Sequence, residues 1–352
     1  MDTTIVLLVV GLRLLVPLGI FRWPLPAMIA CLVIDGIDQT IFQQFTSIDL
    51  TNYQSYDKAL DIYYLSLAYI STFRNWSSRD AFRVGRFLWY YRLVGVTLFE
   101  LSNDVRALLL IFPNTFEYYF DYYEAVRSRW DPRRLSRRFW VMGAAAIWIF
   151  VKLPQEWWIH IGQIDTTDLI RDKPWVGVLM AVGIAAILAV FWFYVRPRLD
   201  PADHEFRLAA DPLPAGVPTA QERSSDPVFA TPLLEKIVLV GLISVIFAQF
   251  LPGLETTTLA LVLSLTVLIV VNALLAHAVA RTGRALESVL AQFAVLAVVN
   301  IGLVGLGAAL LGSDISFWPA MFFVLLLTLI VTTYDRYRPV QDVRCPAAVT
   351  VA

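Results

Sequence analysis

Thr4-Ile5-Val6-Leu7-Leu8-Val9-Val10-Gly11-Leu12-Arg13-Leu14-Leu15-Val16-Pro17-Leu18-Gly19-Ile20-Phe21 is apolar from end to end, except for an arginine near its centre. About 20 mostly apolar residues cross the hydrocarbon core of a bilayer. A charge at that depth costs roughly 2.5–3.5 kcal/mol on insertion scales. A residue of this kind persists where the bundle interior neutralises it or where it acts on something polar. Reading outward, charges recur inside or at the edge of apolar runs at Asp35, Asp38, Asp61, Arg92, Glu117 and Asp121.

The whole chain has the matching composition. Its 352 residues are 58% hydrophobic and 16% charged, with a mean hydropathy of +0.64. Soluble domains are about 45–50% apolar and about 25% charged. The expected fold is therefore an all-α, polytopic integral membrane protein. Candidate spans lie at 4–21, 26–45, 58–75, 82–101, 106–125, 139–155, 175–195, 234–251, 256–278, 288–311 and 316–334, about eleven in all. The third holds only a short clean run, Ile62–Thr72, and the fifth contains Pro113. The N-terminus opens with Asp2 and its apolar run is interrupted by Arg13, so it reads as a first span and not as a signal peptide.

Alternating the loops from an outer N-terminus places 20 basic residues in inner segments and five in outer ones. That bias matches the positive-inside rule and predicts an inner C-terminus. Only Lys58, Lys152, Lys173 and Lys236 are lysines among the 28 basic residues, a pattern of GC-rich genomes, so a bacterial inner membrane is the expected location. Prolines crowd 196–232, which predicts a disordered cytoplasmic linker. It separates a polar seven-helix module, 1–195, from an apolar four-helix module, 233–335, followed by a cytoplasmic tail, 336–352. The apolar module, rich in small residues such as Gly302, Gly305 and Gly307, is expected to pack on the first or on a membrane protein partner. A net charge of −1 gives no basis for nucleic-acid binding.

Three sets of residues are candidates for chemistry. Arg13, Asp35, Asp38 and Arg92 fall near mid-membrane on the first, second and fourth spans, two positive against two negative. Asp57 and Asp61, spaced i,i+4, share a face toward the outer surface. Asn114, Glu117, Asp121 and Glu124 form one polar stripe after Phe112-Pro113, where the missing backbone donor is expected to leave carbonyls for a cation or solute. The bland alternatives are charge pairs that orient helices, a solvated helix start at Asp57, and Glu124 paired with Arg127. Arg83 and Arg86 share a face at the inner surface, where with the Arg127–Arg138 loop they offer a place for anionic lipid or a phosphate, although positive-inside charge alone explains them. Glu156 and His160, at i,i+4 in an expected outer loop 154–173, lack a third metal ligand, and Trp157-Trp158 between them reads as an interfacial anchor.

Asp35-Gly36-Ile37-Asp38 followed by Asp57-x-x-x-Asp61 resembles the acidic signature of the CDP-alcohol phosphotransferases. In that family, aspartates on two successive helices bind a divalent cation and a CDP-linked substrate. The resemblance is confined to 35–61. Gln39-Thr40 stands where the family has Ala-Arg, the second pair comes a turn later, and the loop glycine is absent. The expected topology also puts this loop outside, whereas CDP-linked substrates are cytoplasmic.

No HExxH, GxSxG or P-loop motif occurs, and Cys31 and Cys345 make neither a disulfide framework nor a metal cluster. No metal site is assigned and no cofactor is identified. The expected function is transport of a small polar or ionic solute, coupled to protons or cations through intramembrane carboxylates. The alternatives are an intramembrane enzyme acting on a lipid or lipid-linked substrate through an acidic, metal-binding site, and an accessory or scaffold subunit. The expected partners are membrane lipids, the solute and a membrane protein.

Overall fold

The computed structural model describes residues 2–46, 53–102, 105–164, 166–225, 227–248, 258–281, 288–311 and 317–346. The described residues are predominantly helical, with no strand among them. Five helices among the described residues are long and apolar enough to cross a membrane: Thr4–Phe21, Pro24–Phe45, Pro174–Arg198, Val262–Arg281 and Ala320–Arg344.

The first helices are α1 (Asp2–Leu15), extended by a 3-10 segment Val16–Phe21, then α2 (Pro24–Phe45), α3 (Tyr53–Asn75) and α4 (Arg79–Leu101). Pro24 opens α2, a position where its missing N–H costs nothing. Ser78 caps α4 by accepting from the Ala81 N–H at 3.4 Å. The next span is broken. α5 (Ala107–Ile111) stops at Phe112, and α6 (Thr115–Arg127) restarts beyond Pro113.

α7 (Arg137–Ile147) continues without interruption through a π segment Trp148–Lys152, a short α8 (Leu153–Glu156) and a second π segment Trp157–Ile161. The helix therefore reaches beyond the expected start of a loop at residue 154. Pro154 cannot donate to a helical carbonyl, and its ring crowds the turn before it. The wider π turn on its N-terminal side gives that ring room and lets the helix pass the proline. α9 (Thr166–Asp172) and α10 (Pro174–Val190) follow, then α11 (Thr231–Ala248), α12 (Thr258–Arg281), α13 (Val289–Leu311) and α14 (Phe317–Arg344). α14 thus continues well past the expected span end at 334, into the segment assigned to the tail.

α3 occupies the centre. It packs against α1, α2, α4, α11 and α14, and Leu67, Ala68, Tyr69, Ile70 and Phe73 are all fully buried. This explains the weak hydropathy of the third span. A helix surrounded by protein needs no lipid-facing apolar surface, so it can carry tyrosines and hydroxyls. Its hydroxyls bond to its own backbone: Ser71 Oγ donates to Ala68 O at 2.7 Å and Thr72 Oγ1 to Tyr69 O at 2.6 Å.

α14 lies along α3, and α11 rests on α3, α4 and α14, so helices from both sides of the proline-rich segment share one core. Part of that segment is laid against the first helices. Ala210 N donates to Arg22 O at 2.8 Å, Arg207 N to Ser128 O at 3.0 Å, and Asp203 N to Arg129 O at 3.0 Å. Composition predicts flexibility there, but these bonds hold residues 203–210 to the bundle. α10 is the opposite case: none of its side chains is buried. An apolar helix exposed all round requires lipid or another protein around it.

One close approach tests the packing. A Cβ placed on Gly95 would overlap the Cβ and Cγ of Phe112, at the α5–α6 break. Gly95→Ala is expected to lose about 1–3 kcal/mol of stability. Thermal unfolding of the purified variant checks this, and an unchanged midpoint would mean that Phe112 does not press on α4.

Candidate functional site

Two buried charge clusters sit on either side of Tyr64. The first is built around Arg13, whose side chain is 3% exposed. The 3-10 turn Val16–Phe21 folds α2 back along α1, so Asp35 and Asp38, one helical turn apart, face the guanidinium. α3 adds Asp61 from a third side. Arg13 Nη2 donates to Asp61 Oδ1 at 2.8 Å and also to Asp35, while Nη1 donates to Asp38. Asp38 is fully enclosed and also accepts from the Gln39 N–H at 2.6 Å. Asp35 and Asp61 remain 26% and 29% exposed. The cluster is thus sealed on one side and open on the other. Three carboxylates on one planar fork is a pairing that arginine, with five donors, can serve.

Beside Arg13 lies a cavity of about 10 Å3, bordered by Leu12, Val16, Cys31, Ile34 and Tyr64. That is about the space one water needs. Tyr64 borders it and donates its hydroxyl to Glu117 Oε1 in the second cluster.

The second cluster surrounds the α5–α6 break. Glu117 Oε2 accepts from Lys152 Nζ at 2.9 Å and from Asn114 Nδ2 at 3.2 Å. Lys152 also donates to Gln155 Oε1 at 3.1 Å and sits 4.3 Å from the centre of the Tyr118 ring. Glu156 Oε1 accepts from the Asn114 N–H at 3.0 Å, and its Oε2 lies 3.0 Å from His160 Nε2. The α7–α8 helix thus brings Lys152, Glu156 and His160 to the break. Its two π segments rotate the helix locally, and such segments are frequent at functional sites.

The break does not leave open carbonyls of the kind expected. Phe112 O accepts from Arg92 Nη1 at 3.0 Å, Ile111 O from the Tyr91 hydroxyl at 3.0 Å, and Pro113 O from the Thr115 N–H at 2.8 Å. An unsatisfied buried carbonyl is expensive, and here two are closed by side chains of α4 and one by a backbone N–H. What remains is on side chains. Asn114 Oδ1 and Thr115 Oγ1 are buried with no hydrogen-bond partner in the structure, and so is Asp121 Oδ1.

Arg13, Asp35, Asp38 and Asp61 come together; Arg92 does not join them. It serves the backbone of the break instead, so the expected two-against-two balance at mid-membrane becomes one guanidinium facing three carboxylates. The side chain of Asp57 lies outside the described residues. Asn114 and Glu117 share the second cluster, whereas Asp121 stands one turn farther along α6. Glu124 is held by Arg127 Nε at 2.6 Å and by Trp76 Nε1 at 3.0 Å, the arrangement of the bland reading. Sequence reasoning passed over Tyr64, Lys152 and Glu156 as partners. A lysine inside an apolar run, three residues from Gln155 and four from Glu156, was the available signal.

No protein-family model, curated protein or solved structure matches the chain.

Proposed function

We propose that this protein is a multi-pass transporter of a small polar or ionic solute, coupled to protons or cations, with its N-terminus outside and C-terminus inside an inner membrane. Support comes chiefly from the second cluster. Two buried, unpartnered polar atoms, Asn114 Oδ1 and Thr115 Oγ1, stand beside the Glu117–Lys152 pair at a helix break. Buried polar groups are nearly always satisfied, and exceptions mark a site for water or ligand. Broken helices placed at mid-membrane serve this purpose in transporters. The water-sized cavity between the clusters is closed to any larger species, so a solute would need the α5–α6 break to open. On this reading a proton would pass by way of the cavity beside Arg13 and the Tyr64 hydroxyl, which borders that cavity and bonds to Glu117.

The test is proton entry into liposomes holding the full chain and a trapped pH dye, under an imposed gradient. Asp35→Asn and Glu117→Gln are each expected to slow entry at least about a hundredfold, the lower end of what removing a positioned proton-transfer group costs. Full rates in both variants would sink the assignment.

A second reading, an accessory subunit, is favoured by α10, whose apolar side chains are left unburied by the described residues. Of the carboxylates that a metal-dependent lipid enzyme would use, Asp57, Asp61 and Asp38, the last two are engaged by Arg13, and the side chain of Asp57 lies outside the described residues.

A further inference from the structure

A groove of about 440 Å3 runs along the outer face of α4, walled by Phe87, Tyr90, Tyr91, Val94 and Phe112, with Arg83 and Arg86 at one end. The residues recur at i, i+4, i+8 and i+11 from Arg83, which places them in one stripe. From Arg83 to Val94 the helix rises about 16 Å, half of an about 30 Å hydrocarbon core. The walls are aromatic or aliphatic and open sideways: Phe87 is 58% exposed and Val94 40%. Tyr91 packs on Phe112 and Trp148 and forms the floor.

Charge is confined to the arginine end. Arg83 is exposed and has no acidic partner within 4.0 Å among the described residues. Arg86 reaches Glu235 at 3.3 Å; Arg338 lies 3.6 Å from the same carboxylate but is itself paired with Asp342 at 2.5 Å, so the surplus positive charge at this end is that of Arg83. The end therefore stays positive. A cationic pair at one end of an apolar slot one leaflet deep complements a molecule with an anionic head and a hydrocarbon tail.

We propose that this groove binds an anionic phospholipid, with its phosphate on Arg83 and Arg86 and an acyl chain along Phe87, Tyr91 and Val94. The site requires only that the chain lie in a bilayer and is independent of the transport reading.

Native mass spectrometry of the delipidated full chain, titrated in micelles with phosphatidylglycerol or with phosphatidylcholine, tests it. Phosphatidylglycerol should be retained in preference. Arg83→Gln should weaken that retention about fivefold, the worth of one basic residue near a lipid phosphate. Arg83→Gln with Arg86→Gln should abolish the preference, and Arg83→Lys should keep it. Val94→Trp, which fills the slot without touching charge, should lower retention of the lipid. Inorganic phosphate at millimolar concentration should not displace it. Equal retention of the two lipids, wild-type retention in the double variant, no effect of Val94→Trp, or displacement by phosphate alone would each overturn the proposal. Arg83 is exposed and Arg86 is half-buried against Glu235, so the single Arg83 variant disturbs little of the core and circular dichroism checks the fold of the double variant.

Discussion

Arg13→Gln should destabilise the bundle by about 3–5 kcal/mol, the usual cost of leaving buried charge without its partner. The side chain it removes is 3% exposed and holds three carboxylates from two other helices. Glutamine can donate two hydrogen bonds but carries no charge. Asp38, fully enclosed, would have to stay ionised in a low-dielectric site or take up a proton. Arg13→Lys should recover part of the loss, because an ammonium supplies charge without the planar fork. Asp38→Asn added to Arg13→Gln should also recover part of it, since it removes the most deeply buried carboxylate. Thermal unfolding of the purified variants measures all three. A midpoint for Arg13→Gln equal to wild type would show that the cluster is solvated, and the packing described here would be wrong.

The second large effect is expected at Lys152. Lys152→Met leaves Glu117 with Tyr64 and Asn114 as neutral donors and no cation, again at about 3–5 kcal/mol. Methionine conserves most of the apolar stem, so lost packing contributes little. Glu117→Gln with Lys152→Met should be more stable than Lys152→Met alone, because the uncompensated charge is gone. The coupling energy from the double-mutant cycle should fall within about 0.5–3 kcal/mol. Strictly additive losses would mean that the 2.9 Å contact is incidental. The same cycle bears on function. If the pair only braces the helices, the double variant should keep proton entry; if it carries protons, stability returns and entry does not.

Much of the helical architecture was legible from hydropathy because a bilayer leaves the backbone little choice. Buried in lipid, each N–H and C=O must be satisfied within the segment, so a long apolar run becomes a helix. α1, α2, α10 and α12 follow that rule and were readable directly. α3 was the hardest to see for the opposite reason. Hydropathy reports what faces lipid, and α3 faces protein on all sides, so Ser66, Tyr69 and Thr72 lower its signal while being fully or almost fully buried. The break at Pro113 was also legible, since a missing N–H is a property of the residue. Its consequence was not, because Arg92 and Tyr91 come from α4 and occupy the carbonyls.

The candidate site divides the same way. That Arg13, Asp35, Asp38 and Glu117 need explanation followed from the cost of charge in an apolar run. Which charge meets which did not. Pairing depends on the rotation of each helix about its axis, and one residue changes that by about 100°, as 3.6 residues make a turn. Depth alone grouped Arg92 with the aspartates; rotation sends it to Phe112. Depth alone placed Lys152 and Glu156 at the outer edge; the π segments around Pro154 keep them on a continuous helix beside Glu117.

The sequence by itself therefore determined the all-helical class of the chain, its longest apolar helices and the residues that cannot sit in a membrane unpaired. It did so because those properties are set by transfer energies along one segment at a time. The tertiary structure alone decided the partners: Asp61 in place of Arg92 on Arg13, Lys152 on Glu117, and Tyr64 between the two clusters. Those contacts join residues as much as 53 positions apart, and helix rotation, local π turns and packing around α3 bring them within hydrogen-bond reach.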